Sequence, residues 1–278
     1  MTQYRRYLSS GVAALALTVP SIVPSYADET RSLVTRPTLN SYGLPGLIDT
    51  PSASTLPDGE LGFTFSHSAV GNRGTLSVQI LPDVTATFRY SGIDLAVAAP
   101  RNLLFDRSFD LHWQVLDQGA VGGWSPAFAV GLRDIAGTGL YSSEYVVATR
   151  HFGADDRVAV SAGIGWGRLG ERNGFSNPFG VIDDGFETRP PRSVGRGGTV
   201  NFNQFFRGDA AFFGGVEWQA TDRLRVQLEY SSDTYSLEAA DNLISGASPF
   251  NFGATYQISD GVRGGAYVLG GDRFGVSL

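Results

Sequence analysis

Apolar and polar residues alternate along about a dozen short stretches of this chain. The clearest lies at residues 222–230, where every second residue from Leu224 to Tyr230 is apolar and the residues between them are polar or charged. A period of two is that of a β-strand with one apolar and one polar face. One such stretch predicts a half-buried strand, and a dozen of them predict an extended antiparallel sheet.

The same alternation predicts about twelve strands, separated by segments rich in turn residues. They cover residues 60–66, 76–80, 84–90, 109–115, 127–133, 142–151, 158–166, 212–218, 223–230, 250–258, 262–268 and 274–278. The polar faces carry mainly Ser, Thr, Gln and Gly with a few arginines. A soluble β-sandwich, whose polar face meets water, is the main alternative to a membrane barrel. Aromatic residues near strand ends favour the barrel, since they are typical of interfacial girdles: Tyr90, Trp166, Trp218 and Tyr230.

The lengths of the connections also indicate a barrel. Tight turns follow the even-numbered strands, at residues 82–83, 153–156, 220–222 and 259–261. Long connections follow odd-numbered strands, at residues 91–106, 167–210 and 231–249. Bacterial outer-membrane barrels have short periplasmic turns and longer outer loops. We therefore expect an all-β fold, an antiparallel transmembrane β-barrel of about 12 strands. The medium loop 117–125 departs from this rule and indicates a misplaced strand.

The N-terminus has the features of an export signal. Arg5 and Arg6 precede an apolar run at residues 11–23, and Ser25-Tyr26-Ala27 fits a cleavage site. We expect residues 1–27 to be a cleaved signal peptide that directs the protein to the Gram-negative outer membrane. Residues 28–58, rich in Pro and Gly, are predicted to form an extended periplasmic arm or a plug, and residues 59–278 the barrel.

Composition excludes several classes of function. The formal net charge is −6, which makes nucleic acid an unsuitable partner. Cysteine and lysine are both absent, which excludes disulfides, thiolate nucleophiles and Schiff-base chemistry. The three histidines, His67, His112 and His151, lie in no Ser or acid motif. We expect no enzyme activity, no cofactor and no metal, and we expect outer-membrane lipid as a partner.

Charged residues on the predicted polar faces are the first set of site candidates. As lumen-facing groups they would pair across the bore or, unpaired, would select charged solutes. The guanidinium group of arginine can donate two hydrogen bonds to one carboxylate, including the carboxylate of an acidic sugar. An anionic polysaccharide is therefore one hypothesis for the partner. These candidates are Arg89, Asp110, Arg157, Glu217, Arg223, Arg225 and Glu229.

The densest polar cluster lies at residues 131–145 and supplies the second set. Its candidates are Arg133, Asp134, Gly137, Gly139, Ser142 and Glu144. One hypothesis is a contact with polymer or with a partner protein. The other is a tight turn held by an arginine–carboxylate pair, because glycines permit the required backbone angles. The arm motif at residues 43–53 likewise fits either a plug, a docking segment for periplasmic partners, or a turn into the first strand.

Several sequence stretches resemble one known family. They are GLPGLIDTPSA at 43–53, DGELGF at 58–63, SFDL at 108–111, AVGLRDIAGTGLYSSEYVVA at 129–148, GIGWGRLG at 163–170 with NPF at 177–179, and PFNFGATY at 249–256. Their order is similar to that of the YjbH-like family of outer-membrane exopolysaccharide and capsule proteins. Members are often longer, and some are lipid-anchored through a cysteine that this chain lacks, so we expect a short variant or the N-terminal portion of a longer architecture.

The resemblance implies a non-enzymatic outer-membrane barrel acting in exopolysaccharide export or assembly, together with periplasmic export partners. A general diffusion porin for small solutes is the alternative. An outer-membrane hydrolase is a third hypothesis, which the missing histidine constellation disfavours.

Overall fold

The computed structural model describes residues 36–69, 71–95, 102–191, 198–236 and 248–278. The predicted signal peptide and the first residues of the arm lie outside these ranges. Twelve strands are present, as the alternation predicts. They are β1 (Leu61–Ser68), β2 (Gly71–Leu81), β3 (Val84–Leu95), β4 (Asn102–Leu116), β5 (Ala127–Arg133), β6 (Ser143–Phe152), β7 (Val158–Gly167), β8 (Ala211–Gln219), β9 (Leu224–Tyr230), β10 (Phe250–Ser259), β11 (Val262–Leu269) and β12 (Arg273–Ser277).

The strands form one closed antiparallel barrel. Each strand pairs with its neighbours in sequence, and β12 returns to β1 with Ser277 opposite Ser66 and Val276 opposite His67. Leu278 adds a two-way backbone pair with Phe65 at this seam. The prediction of a twelve-stranded antiparallel barrel is therefore confirmed.

The period-two pattern sorts side chains to the two faces of the wall. In β1, Phe63 and Phe65 point outward, with Phe63 72% exposed, whereas Thr64 and Ser66 are buried inside. The segment that first indicated a strand behaves in the same way, because Val226 and Leu228 are exposed and the polar residues between them are buried. An apolar outer band around a polar interior is the surface expected of a barrel in lipid.

Two expectations about the connections are wrong. Residues 91–106 are not one long loop, because β3 and β4 continue as a paired hairpin up to Leu95 and Asn102. The alternation persists there, with Ile93 buried inside and Tyr90 stacked on Phe105 at 5.5 Å outside. No strand is misplaced at the medium loop, since β4 ends at Leu116 and β5 starts at Ala127.

We call the barrel end with residues 82–83, 117–126, 153–157, 220–223 and 260–261 the turn end. The opposite end, which carries residues 134–142 and the described parts of 168–210 and 231–249, is the loop end. The described part of the long segment 168–210 packs against the wall at the loop end. It buries Trp166, whose ring stacks on Phe179 at 5.5 Å and meets Phe206 edge-on at 5.2 Å. Trp166 is therefore not the exposed interfacial aromatic that its position predicts.

Part of the arm lies inside the barrel. Residues 38–53, which we call the plug, are almost entirely buried. Each of the three buried apolar clusters within the barrel contains plug residues: Leu44 and Ala53 in the first, Ile48 in the second and Tyr42 in the third. The core of this protein is therefore built between the wall and the plug. Across the described residues, no helix is both long enough and apolar enough to cross a bilayer.

Candidate functional site

Glu229 on β9 holds the middle of the plug. One carboxylate oxygen accepts the backbone N–H groups of Ile48, Asp49 and Thr50, each at 2.9 Å, and the Thr50 hydroxyl at 2.9 Å. The other oxygen accepts the Asn251 side-chain amide at 2.7 Å. Hydrogen bonds to an ionised group are stronger than neutral ones, and here five donors converge on one carboxylate. Glu229 is therefore the main anchor of the plug.

Asp49 is a plug residue, and its contacts with the wall and its loops provide a second anchor. Its carboxylate accepts hydrogen bonds from the hydroxyls of Ser41 and, at 2.7 Å, Tyr235, and it lies 3.8 Å from the Arg73 guanidinium. Its backbone carbonyl accepts a hydrogen bond from Arg133 at 2.7 Å. The group is nearly inaccessible to solvent, so these partners replace the water that a buried carboxylate loses.

Arginines surround the aromatic ring of the plug residue Tyr42. The guanidinium carbons of Arg73, Arg89 and Arg133 lie 4.4, 4.9 and 4.2 Å from the centre of the Tyr42 ring. Tyr141 packs edge-on against the same ring at 5.8 Å. Guanidinium groups at this distance are attracted by the ring quadrupole, so the cluster combines charge and aromatic contact.

Acidic residues neutralise part of this cluster. Arg89 is fully buried between Asp106, at 3.4 Å, and Asp110, at 3.6 Å. Arg168, at the start of the long loop, forms a two-pronged ion pair with Asp233 that includes a 2.8 Å contact. These pairs lie within the wall and its loops, so they do not depend on the plug.

A second group of contacts holds the plug near the turn end. Arg225 donates to the Thr38 hydroxyl at 2.7 Å and to the Arg36 carbonyl at 3.0 Å. Arg263 donates to the Pro37 carbonyl at 3.0 Å and to Thr38. Arg225 also lies 3.6 Å from Glu217, so this part of the wall carries its own partial neutralisation.

The structure places five of the seven predicted lumen residues inside the barrel: Arg89, Asp110, Glu217, Arg225 and Glu229. The other two are corrections. Arg157 lies at the turn end, where it pairs with Asp222 at 2.6 Å, and its side chain is about one-third exposed. Arg223 is exposed in the turn before β9, because the strand begins one residue later than the alternation predicts.

The polar cluster at residues 131–145 is not one site. Arg133 points into the lumen towards the plug, whereas Glu144 binds Arg189 of the long loop through both oxygens, at 2.7 and 3.0 Å. Ser142 accepts a hydrogen bond from the same arginine at 2.9 Å. Arg133 and Asp134 do not form the pair that the turn hypothesis requires, since Arg133 binds the carbonyl of Asp49.

Asp134 and its glycines shape the turn after β5. Asp134 accepts the Tyr141 backbone N–H at 3.0 Å. A Cβ on Gly137 would meet the Asp134 carboxylate at 1.8 Å and the Arg107 carbonyl at 2.3 Å, so only glycine fits there. Gly139 has φ +81°, which also favours glycine. Burial raises the pKa of the Asp134 carboxyl to about 7, although the nearby Arg89 opposes the shift.

Sequence reasoning missed several residues that bind the plug or support the residues that bind it. Arg73 precedes the predicted second strand, which in fact starts five residues earlier than expected, at Gly71. Tyr235 lies in a predicted loop, and Asn251 carries no charge that would single it out. The alternation in β2 does extend back to Arg73, so a longer window would have found this residue, but nothing in the sequence connects it to Asp49.

These contacts define a class of protein: a closed antiparallel β-barrel with an apolar outer face, whose lumen holds a segment from its own N-terminal arm. A family model described as "Exopolysaccharide biosynthesis protein YbjH" matches residues 38–278, from the plug to the last strand. The chain belongs to this YjbH family.

One curated relative is the "Uncharacterized lipoprotein YjbH" of Escherichia coli (strain K12), which is 32% identical over 253 residues. The alignment covers 88% of this chain and 35% of the relative, so the chain spans about a third of the length of that protein. Among solved structures, two mutants of the Rh. blastica porin match with 12% and 13% identity and a TM-score of 0.29. Each match covers 75% of this chain and 53% of the porin.

Proposed function

We propose that this protein is a non-enzymatic outer-membrane β-barrel that takes part in the export or assembly of an exopolysaccharide or capsule. The observation that carries the proposal is the family match, which begins at the plug and includes every strand. The apolar outer band supports insertion in lipid, and the signal features of residues 1–27 favour export to the outer membrane of a Gram-negative cell.

The presence of the plug in the lumen supports a specialised role rather than free diffusion. Glu229 binds the plug backbone and Tyr235 binds the plug residue Asp49 through buried hydrogen bonds, and Tyr42, Leu44 and Ile48 supply apolar contacts. A general diffusion porin needs a water-filled bore. The alternative of a porin therefore requires that the plug leave spontaneously, which these contacts oppose.

The candidate partners follow from the chemistry of the two ends. The loop end exposes Val181, Ile182 and Phe202, and its long loop also carries arginines at Arg189 and Arg207. Arg189 is engaged by Glu144 of β6, and Arg207 by the Gly185 carbonyl within the loop. We assign the exposed surface of this end to contact with polymer or outer-leaflet lipid, and the turn end to periplasmic export partners.

The proposal also holds that the chain has no catalytic role. His112 is buried, and its two ring nitrogens contact the Tyr145 hydroxyl at 2.8 Å and the Ser54 carbonyl at 2.9 Å. This arrangement supports a structural role, since a general base must reach a nucleophile or water. Turnover of an ester or glycoside by the purified protein would contradict this part of the proposal.

Gene deletion tests the function most directly. Loss of the gene should lower secreted or capsular polysaccharide severely, and a plasmid copy should restore it. An unchanged polymer yield in the deletion strain would refute the role. Planar-bilayer recording separates the porin alternative, because the purified wild-type barrel should stay mostly closed. A steady, sugar-permeable conductance would favour the porin.

A further inference from the structure

The plug is bound to the wall in the way that a ligand is bound. Within the described residues, the backbone hydrogen bonds of residues 38–53 to other backbone groups remain inside the plug, for example Asn40 to Leu44 and Ser52 to Pro45. Its isolated β-bridges are internal as well. The polar contacts between plug and wall use wall side chains, so removing the plug would break no ladder of the barrel.

The plug presents mainly oxygen acceptors to the wall. Arginines donate to the Thr38 and Ser41 hydroxyls and to the Asp49 carbonyl. Other wall donors follow the same pattern: Ser77 and Thr87 donate to the Gly43 carbonyl, and Gln227 donates to the Leu47 carbonyl. A chain of hydroxyl, carbonyl and carboxylate oxygens is also the surface of a polysaccharide.

The charge balance of these contacts is unequal. Four wall arginines bind plug oxygens, whereas in the described part of the chain one wall carboxylate, Glu229, binds plug N–H groups. The arginines are Arg73, Arg133, Arg225 and Arg263. Only one plug carboxylate, Asp49, lies among them. A polymer that replaced the plug with several carboxylates would offer these guanidinium groups ionised partners, whereas the plug offers them mainly neutral hydroxyl and carbonyl oxygens.

Aromatic rings complete the resemblance to a sugar site. Tyr141 packs on the plug residue Tyr42, and Tyr235 and Tyr267 pack with Ile48. With the plug removed, these rings would face the lumen beside the arginines. The aromatic rings can contact the C–H faces of a sugar chain while the neighbouring guanidinium groups bind its carboxylates.

We propose that the plug is an internal ligand that occupies a binding track for an acidic, uronate-containing polysaccharide, and that such a polymer displaces it. The inference rests on the proposed function and specifies its substrate class. Arg73 and Arg133 bind carboxylates of the polymer in place of Asp49, and Glu229 accepts sugar hydroxyls in place of the plug N–H groups.

The experiment measures equilibrium binding of two oligosaccharides of equal length to the full-length protein in detergent. The probes are a hexamer of galacturonic acid and the neutral maltohexaose. Because the chain has no cysteine, a single disulfide can fix the plug. Ala53 and Thr149 suit this purpose, since the Ala53 N–H donates to the Thr149 hydroxyl at 2.7 Å. The double variant Ala53→Cys/Thr149→Cys is measured oxidised and reduced.

The reduced protein should bind the uronate hexamer at least about tenfold more tightly than maltohexaose, and the oxidised protein should bind neither. Equal binding by the oxidised and reduced forms would place the site outside the lumen and overturn the proposal. Equal affinity for the two hexamers would overturn the assignment to an acidic polymer.

Substitutions provide the second readout. Arg73→Gln and Arg133→Gln should each weaken uronate binding about tenfold, as expected for loss of a charge-assisted contact. Arg157→Gln is the matched control, because it removes an arginine at the turn end and should leave binding unchanged. Resistance to SDS on gels shows that each barrel has folded. Folded Arg73 and Arg133 variants with wild-type affinity would contradict the proposal.

The two proposals can fail separately. If the reduced protein binds uronate but gene deletion leaves polymer yield unchanged, the proposed function fails and the binding track stands. If deletion abolishes the polymer but the plug-dependent binding is absent, the function stands and the internal-ligand inference fails.

Discussion

The barrel wall and the plug pack against each other, yet they are held by different kinds of interaction. Neighbouring wall strands share long backbone ladders, such as the twelve paired positions between β3 and β4. The plug has no such ladder and depends on side chains such as Glu229 and Arg133. In lipid, a wall must satisfy its own backbone groups. A segment inside the lumen escapes that requirement, so it can be exchanged for another ligand without opening the wall.

The largest effect is expected from a change that breaks the wall. A Cβ on Gly131 in β5 would lie 2.1 Å from the Tyr145 ring. Gly131→Leu should therefore destabilise the barrel by about 3 kcal/mol or more through overpacking. The urea midpoint of the purified protein measures this loss. Gly74→Ala is the control, because its added Cβ meets open space and should have little effect. Equal midpoints for both variants would contradict the packing account.

The second-largest effect is expected from a change that releases the plug from the lumen and leaves the wall intact. Glu229→Ala removes the acceptor of three buried backbone N–H groups. Each hydrogen bond to a charged group is worth about 1.5–3 kcal/mol, so the plug should be released. Planar-bilayer conductance should rise from mostly closed to mostly open, with the SDS-resistant barrel retained. Glu187→Ala, in the exposed long loop, should stay closed. A Glu229→Ala barrel that stays closed would show that other residues hold the plug in place.

A pH dependence is expected where wall and plug meet, at the turn after β5. The raised pKa of Asp134, about 7, means that between about pH 4 and pH 7 the folded state holds a proton that the unfolded state has released, because an aspartate in an unfolded chain has a pKa of about 3.8. Folded stability should therefore fall as pH rises from about 4 to about 7 and then level off. The urea midpoint, measured across this pH range, reports the stability. Asp134→Asn should remove this part of the decrease of the midpoint with pH, and the substitution Asp183→Asn at an exposed position should not. An unchanged slope in Asp134→Asn would refute the assignment.

The smallest effect concerns one hydrogen bond of the plug. Tyr235→Phe removes the donor to the Asp49 carboxylate, which lies 2.7 Å away. The loss should cost about 1 kcal/mol and raise the open fraction about fivefold. Single-channel recording measures that fraction. Tyr230→Phe is a suitable control, because its hydroxyl binds Asn173 of the long loop and not the plug. The same increase in both variants would argue against a specific anchor at Asp49.

The sequence predicted the wall well and the interior only in part. Period-two alternation is a local property, and it located every strand from β1 to β12 within a few residues, except where β2, β3 and β4 extend further. The contact between Glu229 and Thr50 joins residues 179 positions apart. No local pattern encodes such a pairing, because it depends on how the barrel closes and how the plug enters it.

The same limit explains the errors at individual sites. Arg157 and Arg223 have the correct parity for the lumen but lie at strand ends, where the chain turns and the side chain reaches solvent. Glu144 lies close to Arg133 in sequence, yet it packs under the long loop rather than in the lumen. Alternation predicts whether a side chain points into the lumen or outward, whereas the position of the residue along the barrel axis determines which groups the side chain contacts.

The most direct test of the plug is a comparison of two cysteine pairs that share Thr149. In one, Ala127→Cys faces Thr149→Cys across two wall strands, where the residues are paired in register. In the other, Ala53→Cys of the plug faces the same Thr149→Cys. If residues 38–53 fill the lumen, both pairs should form disulfides efficiently in the membrane-inserted protein. Efficient cross-linking of the wall pair without the plug pair would contradict the account.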